Sequence, residues 1–126
     1  MMKFMSLRLI AVIVALGLSV PGLAADPVRF MQTIEDLPLM PGLDEDAASG
    51  INFDSPGGRI VEVYAVGRVT AAEVTAFYQE VLPQLGWRGD AGGLYIRDAE
   101  SLRIEAISAE PSGPLSVRFR VQPAKP

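Results

Sequence analysis

The chain has 126 residues, a net charge of −4, and neither cysteine nor histidine. These absences exclude disulfides, thiol nucleophiles, histidine-dependent triads and nearly all transition-metal sites, so we predict no cofactor and no metal. The acidic balance disfavours binding to nucleic acids and to anionic lipids.

The first 24 residues have the layout of a secretory signal peptide. Lys3 and Arg8 precede an apolar run at residues 9–20, and small residues lead to a cleavage site after Ala24, with Ala25 as the alternative. The run of about a dozen residues is too short to span a bilayer, which needs roughly 20. Removal of Lys3 and Arg8 leaves nine basic residues against fifteen acidic ones, a net charge of −6. We expect a soluble, periplasmic chain with no membrane span after cleavage.

Residues 25–50 are acidic and interrupted by proline and glycine. Pro38 and Pro41 push the residues before them toward extended conformations, so no helix is predicted here. We interpret this stretch as an extended, Pro-rich arm that precedes a domain at residues 51–122. Residues 123–126 form a tail that we expect to be frayed.

The domain alternates between strand and helix patterns. Strands are predicted at residues 51–53, 59–66, 94–97, 102–108 and 115–121, because apolar residues alternate between turn sequences. Thr70 and Glu73 have the spacing of a capping box and predict a helix that ends before Gly86, with Pro83 tightening its last turn.

This order, β-β-α-β-β-β, predicts an α+β fold. We expect a two-layer sandwich in which one helix packs on a mostly antiparallel, four- to five-stranded sheet. Trp87, directly after the helix, is expected to close the core; the alternative is an aromatic platform that it forms with Tyr78.

Carboxylates are the only candidates for catalysis. Asp44, Asp46 or Asp54 with Glu62 could act as an acid and base pair, although acidic residues in loops are usually solvated. Asp44, Asp46 and Ser49 could ligate calcium, but the glycine and glutamate that an EF-hand loop requires are missing.

Two groups of residues are candidate binding surfaces. In segment 36–43, the side chains of Leu37, Leu39, Met40 and Leu43 either pack on the protein's own sheet or dock into a partner.

The second group is a set of arginines on the last two strands. Arg103, Arg118 and Arg120 are predicted to share the solvent face of the sheet. If Glu62 and Glu105 lie between them, the five residues form a cross-strand charge ladder; otherwise the arginines form an anion-binding patch.

The chain resembles a family of uncharacterised small exported bacterial proteins. The resemblance rests on residues 36–43 (DLPLMPGL), Phe53, 58–62 (GRIVE), 77–78 (FY) and 82–87 (LPQLGW), and it covers nearly all of the mature chain. It implies a periplasmic location but no activity, ligand or catalytic residue.

These observations favour a non-enzymatic accessory protein of the cell envelope that binds another protein or a small ligand. The alternatives are a carboxylate-dependent hydrolase or lyase and a structural protein that associates with itself.

Overall fold

The structure is a computed structural model, and it describes residues 27–90, 92–107 and 111–124. This part of the chain contains eight strands and one α-helix. The fold is mixed α/β and predominantly β, with antiparallel strand pairing. The predicted signal peptide lies outside the described residues.

Two strands near the start form a small sheet, and six form the main one. The strands are β1 (Arg29–Phe30), β2 (Pro38–Leu39), β3 (Asp44–Ser55), β4 (Gly58–Gly67), β5 (Arg88–Gly89), β6 (Leu94–Arg97), β7 (Glu100–Ile107) and β8 (Leu115–Pro123). The small sheet is β1-β2, and the strand order of the main sheet is β3-β4-β8-β7-β6-β5. The strand predicted at 59–66 is therefore an inner strand, between β3 and β8.

The helix α1 (Ala71–Val81) begins at the predicted cap. The Thr70 hydroxyl accepts a hydrogen bond from the backbone N–H of Glu73 at 3.1 Å. The chain then tightens into a 3-10 turn (Leu82–Leu85) with Pro83 near its start, and Gly86 ends the turn at a φ of 89°, which favours glycine. The predicted tightening at Pro83 is confirmed.

The core lies between one face of the main sheet and the helix together with residues 31–43. Val61, Val63 and Ala65 of β4 point into the core, as do Val117 and Phe119 of β8. Tyr78 packs edge to face on Phe119, with ring centroids 5.4 Å apart. Trp87, only 2% exposed, belongs to the same core, as predicted.

The structure differs from the prediction in three places. The main sheet has six strands because Arg88–Gly89 adds a short edge strand that no alternation in the sequence indicates. The strand predicted to start at Ile51 starts at Asp44, inside the stretch interpreted as an arm. At the other end, Pro123 belongs to β8, and the Ala124 N–H donates to the Ala99 carbonyl at 2.7 Å.

Candidate functional site

One face of the main sheet carries no helix. We call it the open face: the side chains of β3, β4, β8, β7 and β6 that point away from the core. Cross-strand partners share a face, so the register identifies its members. The open face carries Asp44, Asp46, Ile51, Phe53, Ile60, Glu62, Tyr64, Val66, Leu94, Ile96, Ser101, Arg103, Glu105, Ile107, Ser116, Arg118, Arg120 and Gln122.

The three predicted arginines lie in the middle of the open face and are paired with carboxylates. Arg118 forms an ion pair with Glu105, and Arg103 Nε lies 3.9 Å from Glu105 Oε1. Arg120 Nη1 lies 3.8 Å from Glu62 Oε2. The structure thus has the cross-strand ladder rather than an unpaired anion-binding patch, and partly exposed pairs of this kind contribute only a few tenths of a kcal/mol each.

Tyr64 extends the ladder toward β4. Hydrogen bonding to Tyr64, and then to Glu105, raises the pKa of the Arg118 guanidinium. Arg118 is therefore paired with Glu105 of β7 and lies opposite Tyr64 of β4 in the register.

Charge is divided between the two halves of the open face. Asp44, Asp46 and Glu62 lie on β3 and β4, whereas the three arginines lie on β8 and β7 with Glu105 as the single acid. One half is therefore acidic and the other basic.

Apolar side chains flank the charged centre. On the β3 side, Ile51 and Phe53 are 54% and 52% exposed, and on the β6 side Ile96 is 40% exposed. Val66 and Ile107 are similarly exposed near one end of β4 and β7. Nothing in residues 27–90, 92–107 or 111–124 packs over these side chains.

A shallow depression lies beside Ile96, where β6, β7 and the end of β8 meet. It has a volume of about 520 Å³ and is lined by Leu94, Ile96, Ser101, Arg103 and Gln122, among others. Its walls combine aliphatic and polar groups.

The other predicted surface, segment 36–43, is buried in the core. Leu37, Leu39, Met40 and Leu43 are at most 8% exposed, so the alternative in which segment 36–43 packs on its own sheet is the one that the structure shows. These four side chains are not accessible to a partner.

Tyr78 holds this segment against the helix. Its hydroxyl donates to the Pro38 carbonyl at 2.8 Å and accepts from the Met40 N–H at 3.2 Å. Both backbone groups are thereby satisfied inside the core.

A cluster of four charges, which no sequence pattern predicts, also holds the segment. Asp36 pairs with Arg97 and lies 3.5 Å from Arg59, whose Nε donates to Glu100 at 2.7 Å. Burial alone would raise the pKa of Asp36, but the hydrogen bond from Arg97 and the charges of both arginines bring it below its usual value. Arg97 also stacks on Trp87, 4.3 Å from the ring centroid.

No sequence signal could have revealed this cluster. Asp36 and Arg97 are 61 positions apart, and Arg59 and Glu100 are 41 apart. Only the packing of the segment beside the sheet brings them together.

The candidate catalytic carboxylates do not converge on a cleft. The Asp44 side chain is 90% exposed, Asp46 and Asp54 are exposed, and Asp54 points to the side of the sheet opposite Glu62. Glu62 is engaged by Arg120. The carboxylates therefore lack the shared, shielded position that acid and base catalysis requires.

The residues considered as calcium ligands are also separated by local structure. The Ser49 hydroxyl donates to the Asp46 carbonyl at 2.6 Å and accepts from the Tyr64 N–H at 3.0 Å, so it fills the irregularity in β3 between Asp46 and Ile51. Among the described residues, no group of three His, Cys, Asp or Glu side chains is arranged to hold a metal ion.

Further cavities lie on the helix side of the sheet. One, about 30 Å³ and lined by Val74, Tyr78 and Tyr95 among others, has room for little more than a water molecule. Another, about 390 Å³, lies beside Val28 and Phe77 and has a mainly apolar lining that includes Arg29.

Comparison with known protein families, with curated proteins and with solved structures finds no match to this chain. The resemblance to small exported proteins stays a prediction. Within the described ranges, no helix is long and apolar enough to cross a membrane.

Proposed function

We propose that this chain is an exported, non-enzymatic binding protein of the cell envelope, and that it contacts a partner protein through the open face. The observation that carries the proposal is the exposure of Ile51, Phe53 and Ile96 on a face that no described segment covers. Exposed apolar groups gathered on one surface are typical of interaction sites.

The shape of the open face favours a protein over a small molecule as the partner. Small ligands bind in concave pockets that surround most of their surface, whereas the open face is broad and the depression beside Ile96 is shallow. Its mixture of ion-paired arginines and exposed aliphatic and aromatic groups is typical of the composition of protein interfaces.

The export part of the proposal is supported by the sequence. Lys3, Arg8, the apolar run and the small residues before Ala24 fit a cleaved signal peptide, and a mature charge of −6 fits a soluble periplasmic protein. In this proposal the domain is a two-layer α+β sandwich, with the helix and segment 36–43 on one side of the sheet and the partner on the other.

The test is crosslinking in the native cell. The full chain would carry a photo-crosslinking residue in place of Val66, on the open face, with and without Phe53→Asp. We expect Phe53→Asp to abolish the crosslinked product, because a carboxylate there would be buried without a partner charge.

Two controls separate the open face from other causes. Phe30→Asp changes an equally exposed phenylalanine, 51% against 52%, in the small β1-β2 sheet and should leave the crosslink intact. Asp54→Asn, whose side chain lies on the side of the sheet opposite Glu62, should also leave it intact. Equal crosslinking in wild type and Phe53→Asp, or loss with Phe30→Asp alone, would contradict the proposal.

A further inference from the structure

The partner of the open face can be named more closely. We propose that the open face binds the open face of a second copy of this chain, in a symmetric dimer whose two-fold axis runs parallel to the strands. This inference rests on the proposed function and specifies its partner.

Charge pairing across the axis supports self-association. A two-fold axis parallel to the strands places β3 and β4 of one copy over β6 and β7 of the other, with β8 at the axis. Glu62 of each copy then faces Arg103 of the other, which gives two attractive pairs related by the axis. Electrostatic complementarity of this kind sets the register of an interface.

The same rotation matches the apolar side chains. Phe53 pairs with Ile60, and Ser101 pairs with both Gln122 and Ile96. Continuing the β4-β8 register by one pair aligns Ile60 with Gln122, so all five lie in one row and Phe53 of one copy lies over Ile96 of the other. The depression beside Ile96 would receive the Phe53 ring. At the opposite end, Val66 lies over Ile107 of the second copy.

The arginines at the axis do not oppose this arrangement. Arg118 is paired with Glu105, and Arg120 lies beside Glu62, so their charges are compensated before the copies meet. The alternative two-fold axis, perpendicular to the strands, would place acidic half on acidic half and Phe53 over Asp44, and it is disfavoured for both reasons.

The size of the open face is sufficient for a specific dimer. Five strands about 4.8 Å apart, with outward residues about 6.8 Å apart along each strand, give roughly 600 Å² per copy, or about 1,200 Å² in total. That value reaches the lower bound of standard interfaces. Two sheets stacked with nearly aligned strands also reproduce the usual packing of a β-sandwich.

The experiment is analytical ultracentrifugation of the full chain, as the cell processes it, from low micromolar to near-millimolar concentration. We expect a monomer–dimer equilibrium. Phe53→Asp should weaken the dimer at least about 30-fold, while Phe30→Asp should leave it unchanged.

Charge reversal tests the orientation. Glu62→Arg places an arginine opposite Arg103 of the second copy, and Arg103→Glu places two glutamates together, so each variant alone should dimerise at least about tenfold more weakly. Mixing the two variants makes both cross-interface pairs attractive again and should restore the dimer. Circular dichroism of each variant checks that the fold is intact.

The outcomes distinguish a failure of the proposed dimer from a failure of the proposed function. A strict monomer at all concentrations, or a dimer that Phe53→Asp leaves unchanged, would overturn the inference. If the chain is monomeric while Phe53→Asp still abolishes a crosslink to a different envelope protein, the proposed function stands and only the second copy fails. Restored association in the mixture, with a crosslinked product of twice the chain mass, would support both.

Discussion

Removal of one hydroxyl, by Tyr78→Phe, tests how segment 36–43 is held against the helix. Tyr78 is 1% exposed, and its hydroxyl bonds two backbone groups, the Pro38 carbonyl and the Met40 N–H. Phenylalanine keeps the ring and its contact with Phe119 but leaves both groups inside the core without this partner.

The expected loss follows from those two bonds. Each net hydrogen bond is worth about 1 kcal/mol, and a buried group left without a partner costs about 1–3 kcal/mol, so we expect the free energy of unfolding to fall by about 2 kcal/mol. For a domain of this size that corresponds to a melting temperature roughly 10 °C lower.

Urea unfolding followed by circular dichroism measures this loss. The matched control is Tyr95→Phe, because the Tyr95 side chain is also largely buried, at 4% exposure, but its hydroxyl is neither a buried unpaired group nor bonded to segment 36–43 within the described residues. We expect the control to lose less than half as much stability. Equal losses in the two variants would refute the role assigned to the Tyr78 hydroxyl.

The pH dependence of the same variant gives a second measurement. Burial raises the pKa of Tyr78, so the folded protein keeps this proton when the unfolded chain releases it near pH 10. The contribution of the Tyr78 hydroxyl to the free energy of unfolding is therefore fully present below about pH 10 and is lost as the pH rises above that value. The loss should be smaller in Tyr78→Phe; an unchanged alkaline slope would contradict this.

Three further predictions concern other contacts. Burial tends to raise the pKa of Asp36, but its arginine neighbours bring the pKa below 3.8. The ionised carboxylate therefore stabilises the fold at neutral pH, and this stabilisation is lost as the pH falls below about 4. Asp36→Asn should reduce the difference in unfolding free energy between about pH 7 and about pH 3, and an unreduced difference would count against this role. Gly67→Ala would bring a Cβ to 1.9 Å from the Gly42 carbonyl oxygen and should lower the free energy of unfolding by about 3 kcal/mol or more. The control Gly57→Ala, whose nearest contact would be at 3.6 Å, should change it by less than about 0.5 kcal/mol. Thermal melts compare the two variants, and similar melting temperatures would exclude the clash. Glu45→Ala frees two backbone amides that its carboxylate binds at 2.7 and 3.0 Å, and these should exchange hydrogen at least about tenfold faster, whereas unchanged rates would show that other contacts protect them.

Local patterns predicted the elements whose structure depends on neighbouring residues. The cap at Thr70 and the break at Gly86 correctly predicted where the helix begins and where the following turn ends. The alternation that starts at Leu115 matches buried positions on β8 as far as Val121. Period and capping act within a few residues, so they are readable from the chain itself.

The start of β3 was not predictable in the same way. Residues 44–50 are acidic and small, and they lack alternation because this edge strand buries little of its length. What makes them a strand is pairing with β4, for example Asp44 with Val66, across a register shift. Such pairing depends on residues far along the chain.

The candidate site was also predictable in its local features but not in those that depend on distant residues. The sequence placed Arg103, Arg118 and Arg120 on the solvent face of the strands but left open whether glutamates would compensate them. Strand order decided this, because β8 lies between β4 and β7 and so brings Glu62 and Glu105 to either side of the arginines.

By itself, then, the amino-acid sequence determined the helix, its cap, the inner strands and which of their side chains face inward, since these depend on short-range periodicity. Only the tertiary structure decided that segment 36–43 is buried, that Asp36 meets Arg97, and that one broad sheet face is left open. Those features arise from long-range packing. A helix of 11 residues covers only part of one face of a six-stranded sheet, and the apolar side chains of segment 36–43 cover more of that same face. Both therefore lie on one side of the sheet and leave the other side open.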